Sequence, residues 1–277
     1  MIRLLPILLL AGFLATSAPA AELLTTQHVD LAVNFQPTLV GTATNPWRLT
    51  ARDEDTRREF GGQRAGIGDA LQVILRAGLD AQFPIPDDAD YSFLGTPGAP
   101  VWVLPQTQES GIPFLGVSTE NKTAQSWSAF NVDSPLLARG IASGTFASNQ
   151  VTLRLETFSG PGNFFVWSTD SFGTPLPRFF DTSNGLSAAD GRPFTPANHS
   201  HFNWAFTAPG IYELGLRASG TLTAGAQFSQ SELTTFRFEV IPEPGSAALL
   251  LAGLASLALR RRLTRRGLRG RDRFALR

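Results

Sequence analysis

Cysteine is absent from all 277 residues, which removes disulfides and thiolate ligands from consideration. Any metal held by this chain must use imidazole, carboxylate or amide oxygen. Histidine is nearly as scarce, with three residues in the whole chain, so the placing of each one carries weight. Several catalytic signatures are also missing. No Gly-x-Ser-x-Gly elbow occurs, and a Ser-His-Asp triad would have to draw on histidines better explained as a cluster. Gly61, Gly62, Gly66 and Gly68 lack the Gly-Lys-Ser/Thr ending of a phosphate loop. No internal repeat and no long amphipathic helix interrupts the body, so solenoids and bundles are excluded.

What is present divides unevenly along the chain. Nine of the 23 basic residues lie between Arg260 and Arg277, against a single acid there, Asp272. From Ala21 to Pro244 there are 13 basic and 22 acidic residues, a net of −9. An acidic body without clustered Lys and Arg is no match for a phosphate backbone, and nucleic acid is not an expected partner. Residues 1–20 carry Arg3, an apolar run from Leu4 to Leu14 and then Ala18-Pro19-Ala20. That is the pattern of a secretory signal peptide, with signal peptidase expected to cut near Ala20. Residues 241–277 combine Pro242-Glu243-Pro244, an apolar run from Ser246 to Leu259, and Arg260-Arg261-Arg262. As a helix the run reaches about 21 Å, short of a ~30 Å hydrocarbon core, which suits transient insertion into the membrane. The arginines after it would stay cytoplasmic and leave the body outside.

Between these ends, residues 21–240 read as one all-β domain, an antiparallel β-sandwich or barrel-like body. Short alternating stretches dominate. Leu23 to Phe35 and Trp47 to Thr50 open the series, and Ala70 to Ala77 follows. Arg52 to Glu59 is a mixed-charge run expected to be a solvated face. Prolines 84, 86, 97, 100, 105 and 113 exclude helix and favour edge strands and turns, and Asp87-Asp88 there reads as solvation rather than as a glycosidase pair. Val151, Leu153 and Leu155 alternate with polar residues, and Gly160-Pro161-Gly162 is expected to turn that strand onto a partner at Asn163 to Ser168. Pro209-Gly210 should make a hairpin of the Asn198–Thr207 stretch and Ile211 to Ala218. Thr234 to Val240 is the last strand, with Phe236, Phe238 and Val240 inward.

The three histidines all fall on the polar side of such strands. In Asn198 to Thr207, Phe202, Trp204 and Phe206 share one face and His199, His201 and Asn203 the other. In Gln27 to Phe35, Val29, Leu31, Val33 and Phe35 share one face, His28 and Asp30 the other. Zinc accepts imidazole and carboxylate at about 2.0 to 2.2 Å, and His-x-His on a strand offers two nitrogens to one ion. If the two strands meet, His28, Asp30, His199 and His201 form a four-ligand shell. If Asp30 only orients an imidazole, one position stays open for water. The competing account makes His28 a surface residue and His199 and His201 a turn-holding pair. Imidazole nitrogens more than about 8 Å apart would end the shared site.

The Pro-Glu-Pro, apolar run and arginine cluster resemble the PEP-CTERM sorting signal of Gram-negative bacteria, which implies processing by an exosortase near Pro242 to Pro244 and delivery to the cell surface or extracellular matrix. The body resembles the choice-of-anchor M domain of bacterial surface proteins. The likeness is carried by His28-Val29-Asp30, Phe93-Leu94-Gly95-Thr96-Pro97-Gly98, Trp102-Val103-Leu104-Pro105-Gln106, Gly116-Val117-Ser118-Thr119-Glu120, Ser159-Gly160-Pro161-Gly162, and His199 to Thr207 with Pro209-Gly210. It covers nearly all of Leu23 to Val240. Similar surface proteins in actinobacteria accompany metal-type transporters, which favours a metal. The resulting expectation is an exported, non-catalytic binding module with a divalent metal, zinc. The alternative is a structural or adhesive matrix protein without metal, contacting exopolysaccharide through exposed Trp47, Trp102 or Trp127.

Overall fold

The computed structural model describes residues 21–37, 45–64, 71–120, 128–129 and 140–242. The signal peptide, Trp127, Glu243, Pro244, the apolar run and Arg260 to Arg262 lie outside these residues. Pro242 is the last one described and is exposed.

The regular structure of the described chain is mostly β, arranged as three open sheets. The largest orders its main strands Glu22–Leu24, Val73–Ala77, Thr234–Val240, Gly210–Thr221, Val151–Ser159 and Gly191–Phe194. A six-stranded sheet, which carries the histidines, orders Ser128–Ala129, Arg58–Gly61, Trp47–Asp53, His28–Phe35, Phe114–Ser118 and His199–His201. A five-stranded sheet orders Phe180–Asp181, Phe164–Trp167, Asn203–Phe206, Pro100–Leu104 and Gln82–Pro84. Most pairs are antiparallel, as expected. Four are parallel, among them the pairing of His28–Phe35 with Phe114–Ser118.

One apolar core draws on all three sheets: Leu31, Phe35 and Trp47 from the second, Tyr212, Leu214 and Phe238 from the first, Phe164, Trp204 and Phe206 from the third. Trp204 stacks on Phe238 with ring centroids 6.3 Å apart, and Phe206 lies 5.3 Å from the same ring. The five-stranded sheet also buries its opposite face, where Phe165, Trp167 and Ala205 pack with Ile85, Leu94 and Val101. The cover there is the proline-rich stretch. Its prolines leave room for one 3-10 helix, Ala89–Leu94, whose N-cap is Asp88 accepting from the Asp90 amide at 2.9 Å. The expectation of no helix fails over these six residues, and Asp88 has a structural task.

The alternating faces are where the sequence puts them, but three connections differ from expectation. Leu23 to Phe35 is two strands in different sheets, Glu22–Leu24 and His28–Phe35. Gly160-Pro161-Gly162 joins Val151–Ser159 to Phe164–Trp167 across sheets, and the two do not pair. Pro209-Gly210 likewise joins Asn203–Phe206 to Gly210–Thr221 as an arch between sheets. A period of two buries the same residues in a hairpin and in an arch, so the pattern cannot separate them. Gly210, at φ +136°, makes the second corner. Tyr212 ties it: its hydroxyl donates to the Ala208 carbonyl at 2.7 Å and accepts from the Ala208 amide at 3.2 Å.

The mixed-charge run is also corrected. Arg52, Asp53 and Glu59 are buried, and only the turn Asp55 to Arg57 is exposed. Glu59 Oε1 accepts from Thr50 Oγ1 at 2.5 Å and from Asn34 Nδ2 at 3.2 Å, and lies 3.4 Å from Arg52 Nε. Arg52 Nη2 donates to Asn34 Oδ1 at 2.5 Å. Charges that satisfy one another can be buried where isolated ones cannot.

Candidate metal centre

Three adjacent strands build the centre. His28–Phe35 runs parallel to Phe114–Ser118, with His28 beside Phe114 and Asp30 beside Gly116. His199–His201 runs antiparallel along the other edge of Phe114–Ser118, with His201 beside Gly116 and His199 beside Ser118. Residues in register on neighbouring strands project to one face. Asp30, Gly116 and His201 therefore form a row, with the side chains of the outer two leaning over the middle one. That row needs a glycine. A β-carbon at position 116 would run into Asp30 Oδ1 and would lie 2.9 Å from His201 Cε1. The Asn198–Thr207 stretch changes sheets immediately after the histidines. Phe202 belongs to neither strand and is buried against Phe179 and Phe194, at ring-centroid distances of 4.9 and 5.9 Å.

The result is convergence of two segments far apart in the chain. His28 Nε2 is 3.2 Å from His201 Nε2 and 3.9 Å from Asp30 Oδ1, and His199 Nε2 is 2.9 Å from Asp30 Oδ1. One donor atom from each of His28, Asp30, His199 and His201 lies within 4.8 Å of every other. The 8 Å limit is satisfied with room to spare, and this group can hold a metal ion.

Asp30 has the most telling surroundings. It is fully buried, and neither carboxylate oxygen has a hydrogen bond among the described residues. His199 Nε2 approaches Asp30 Oδ1 to 2.9 Å, an ion-pair contact when the imidazole is protonated. A buried carboxylate is costly unless a cation answers it, and here a protonated His199 or a bound metal ion can do so. Burial pushes the Asp30 carboxyl up, but the close His199 imidazole and the charges of His199, His28 and His201 outweigh it and hold the pKa below the ordinary value. His199 moves the opposite way, raised by Asp30 against its own partial burial. His201 is lowered to about 4, chiefly by burial and then by the two other imidazoles. It is thus neutral at physiological pH.

Comparison with known protein families, curated proteins and solved structures finds no match.

Three surrounding residues escaped the sequence reading as parts of a site. Phe114 stacks flat on His201, with centroids 3.5 Å apart and planes 6° from parallel, and closes that side of the cluster. Gly116 leaves the space between Asp30 and His201. Glu120 brings Oε2 to 3.9 Å from His199 Nδ1. Gly116 and Glu120 stand at even spacing on one face, a signal that period-two reading could have used had the strand been known to lie between the histidine pairs. Asn203, grouped with the histidines by alternation, serves elsewhere: its Nδ2 donates to Thr169 Oγ1 at 2.7 Å and its Oδ1 accepts from the Gln106 amide at 2.9 Å. The proposed sugar platforms also fail where they are described. Trp47 and Trp102 are buried, with Nε1 donating to Ser229 Oγ at 2.8 Å and to the Ile241 carbonyl at 2.9 Å respectively.

Proposed function

We propose that this protein is an exported module of the bacterial cell surface or matrix that binds a divalent metal, zinc, through His28, Asp30, His199 and His201, and that it binds rather than catalyses. The observation that carries the metal reading is Asp30: a fully buried carboxylate with no hydrogen bond, facing three imidazoles. Three imidazole nitrogens and one carboxylate suit zinc, and no thiolate is available to favour copper(I) or an iron–sulfur cluster. Export rests on the N-terminal signal pattern. Surface delivery rests on the likeness of Pro242-Glu243-Pro244, the apolar run and Arg260-Arg261-Arg262 to a PEP-CTERM signal, which implies exosortase as the processing partner. The likeness of the body to choice-of-anchor M domains supports the same setting.

The alternative, a metal-free structural or adhesive protein on exopolysaccharide, is disfavoured by the burial of Trp47 and Trp102. Elemental analysis of the purified body should find one zinc per chain, retained after gel filtration. The His199→Ala and His201→Ala variants should lose it while keeping the wild-type circular dichroism. A metal-free wild type at neutral pH would refute the reading.

A further inference from the structure

Phe114 opens the strand that lies between the two histidine segments, and it stands in register beside His28. On the other edge of that strand His201 pairs with Gly116, two positions along and on the same face, so Phe114 is its diagonal neighbour. The glycine lets the imidazole lie over the strand and reach the phenyl ring: a β-carbon at 116 would stand 2.9 Å from His201 Cε1 and 3.1 Å from its Nδ1. One phenyl ring thereby touches imidazoles from two remote parts of the chain. Its centroid is 3.5 Å from that of His201, with planes 6° apart, and 5.0 Å from that of His28 at 45°. The Nε2 atoms of those two imidazoles are 3.2 Å apart.

Stacking so direct is unusual for two free aromatic rings. Their negative faces repel and favour offset or edge-on contact, at centroid separations of about 4.5 to 7 Å. An imidazole that gives a lone pair to a cation loses ring density, and a positively polarised ring is attracted to a phenyl face. The contact therefore suits His201 bound to a metal better than His201 free.

Resting on the metal reading, we propose that Phe114 is a positioning residue of the centre, which holds His28 and His201 with both Nε2 atoms toward one ion and favours the metal-bound state of His201 over the free one. The ring gives no donor atom. It contributes orientation before the ion arrives and attraction once it is bound, so affinity follows the aromaticity of position 114 and not its bulk alone.

Competitive zinc titration of the mature protein and of its Phe114→Leu and Phe114→Tyr variants tests this, with thermal melting of each metal-free protein alongside. Phe114→Leu keeps most of the volume and none of the π face. It should bind zinc about 10- to 100-fold more weakly, the usual loss when a residue supporting a metal ligand is removed, and Phe114→Tyr should restore most of the affinity. Proton NMR reads the contact itself. In the wild type the carbon-bound ring protons of His201 should lie upfield of those of His199, whose ring neighbours are the other two imidazoles, and Phe114→Leu should abolish the difference. Unchanged zinc affinity in Phe114→Leu, or an equal loss in Phe114→Tyr, would overturn the positioning role while leaving the metal site intact. So would His201 ring protons that show no upfield shift in the wild type. A wild type that takes up no zinc would instead overturn the metal reading beneath it.

Discussion

A single missing β-carbon lets the centre close. Gly116 separates Asp30 from His201 in the register of three strands, and its hydrogen occupies space that any side chain would take from both. We expect Gly116→Ala to cost about 1 to 3 kcal/mol of stability, the usual range for overpacking, and to weaken zinc binding more than tenfold; chemical denaturation and a competitive zinc titration measure the two. Binding at wild-type affinity in a folded Gly116→Ala protein would show that Asp30 and His201 do not share an ion. The titrating groups give a second expectation, with opposite signs. Without metal, the stabilisation His199 draws from Asp30 is complete below the ordinary imidazole value of 6.5 and is lost as pH rises through the elevated pKa of the folded state. His201, depressed to about 4, contributes stability above 6.5 that is lost as pH falls toward that lower value. Chelator-treated protein should therefore be most stable near pH 6.5 and lose melting temperature above it. Zinc must displace the His199 proton, so zinc-loaded protein should gain stability over that same rise. Parallel melting curves with and without zinc would contradict this.

At the scale of elements, the centre depends on a strand that changes sheets. His199–His201 belongs to the six-stranded sheet and Asn203–Phe206 to the five-stranded one, with Phe202 filling the corner among Phe179, Phe194 and the Arg192 guanidinium, whose Cζ is 4.9 Å from the Phe202 ring. We expect Phe202→Ala to destabilise by about 3 to 5 kcal/mol, as other large-to-small core changes do, and to loosen zinc although no ligand is touched, because the corner fixes the angle at which His201 leaves the sheet. A Phe202→Leu variant, which keeps most of the volume, should recover the larger part of both losses. Equal zinc affinity in Phe202→Ala and wild type would mean that pairing with Phe114–Ser118 alone positions the histidines. The same element shows how far the sequence could be read. Its apolar residues were legible, since Phe202, Trp204 and Phe206 are buried while His199 and His201 are half-buried. Its continuity was not, because a switch of sheet leaves period-two alternation unbroken. The mixed-charge run hid its burial for a related reason: Arg52 and Glu59 neutralise each other only across a strand pair, 3.4 Å apart, and seven positions in sequence say nothing of that.

Across the whole molecule, the centre is an addition to a fold that stands on its core. The four candidate ligands sit on strands already held by backbone ladders and by an apolar cluster shared among three sheets. No described element is attached through the metal ligands alone. Removing the ion with a chelator at pH 7 should leave the β circular dichroism unchanged and lower the melting temperature. The loss should follow ligand concentration, about 2.7 kcal/mol relative to zinc at a hundred times its dissociation constant. Collapse to an unfolded chain on chelation would make the metal a structural staple instead.

By itself the sequence determined the all-β character, the apolar faces of the alternating strands, and the donor types open to a chain without cysteine; alternation and composition are local properties, and a chain displays them whatever its partners. Only the tertiary structure decided that His28 and Asp30 meet His199 and His201. Their meeting requires Phe114–Ser118 to lie between them, parallel to one strand and antiparallel to the other, and strand order is set by how three aromatic faces pack together rather than by any one stretch of the chain.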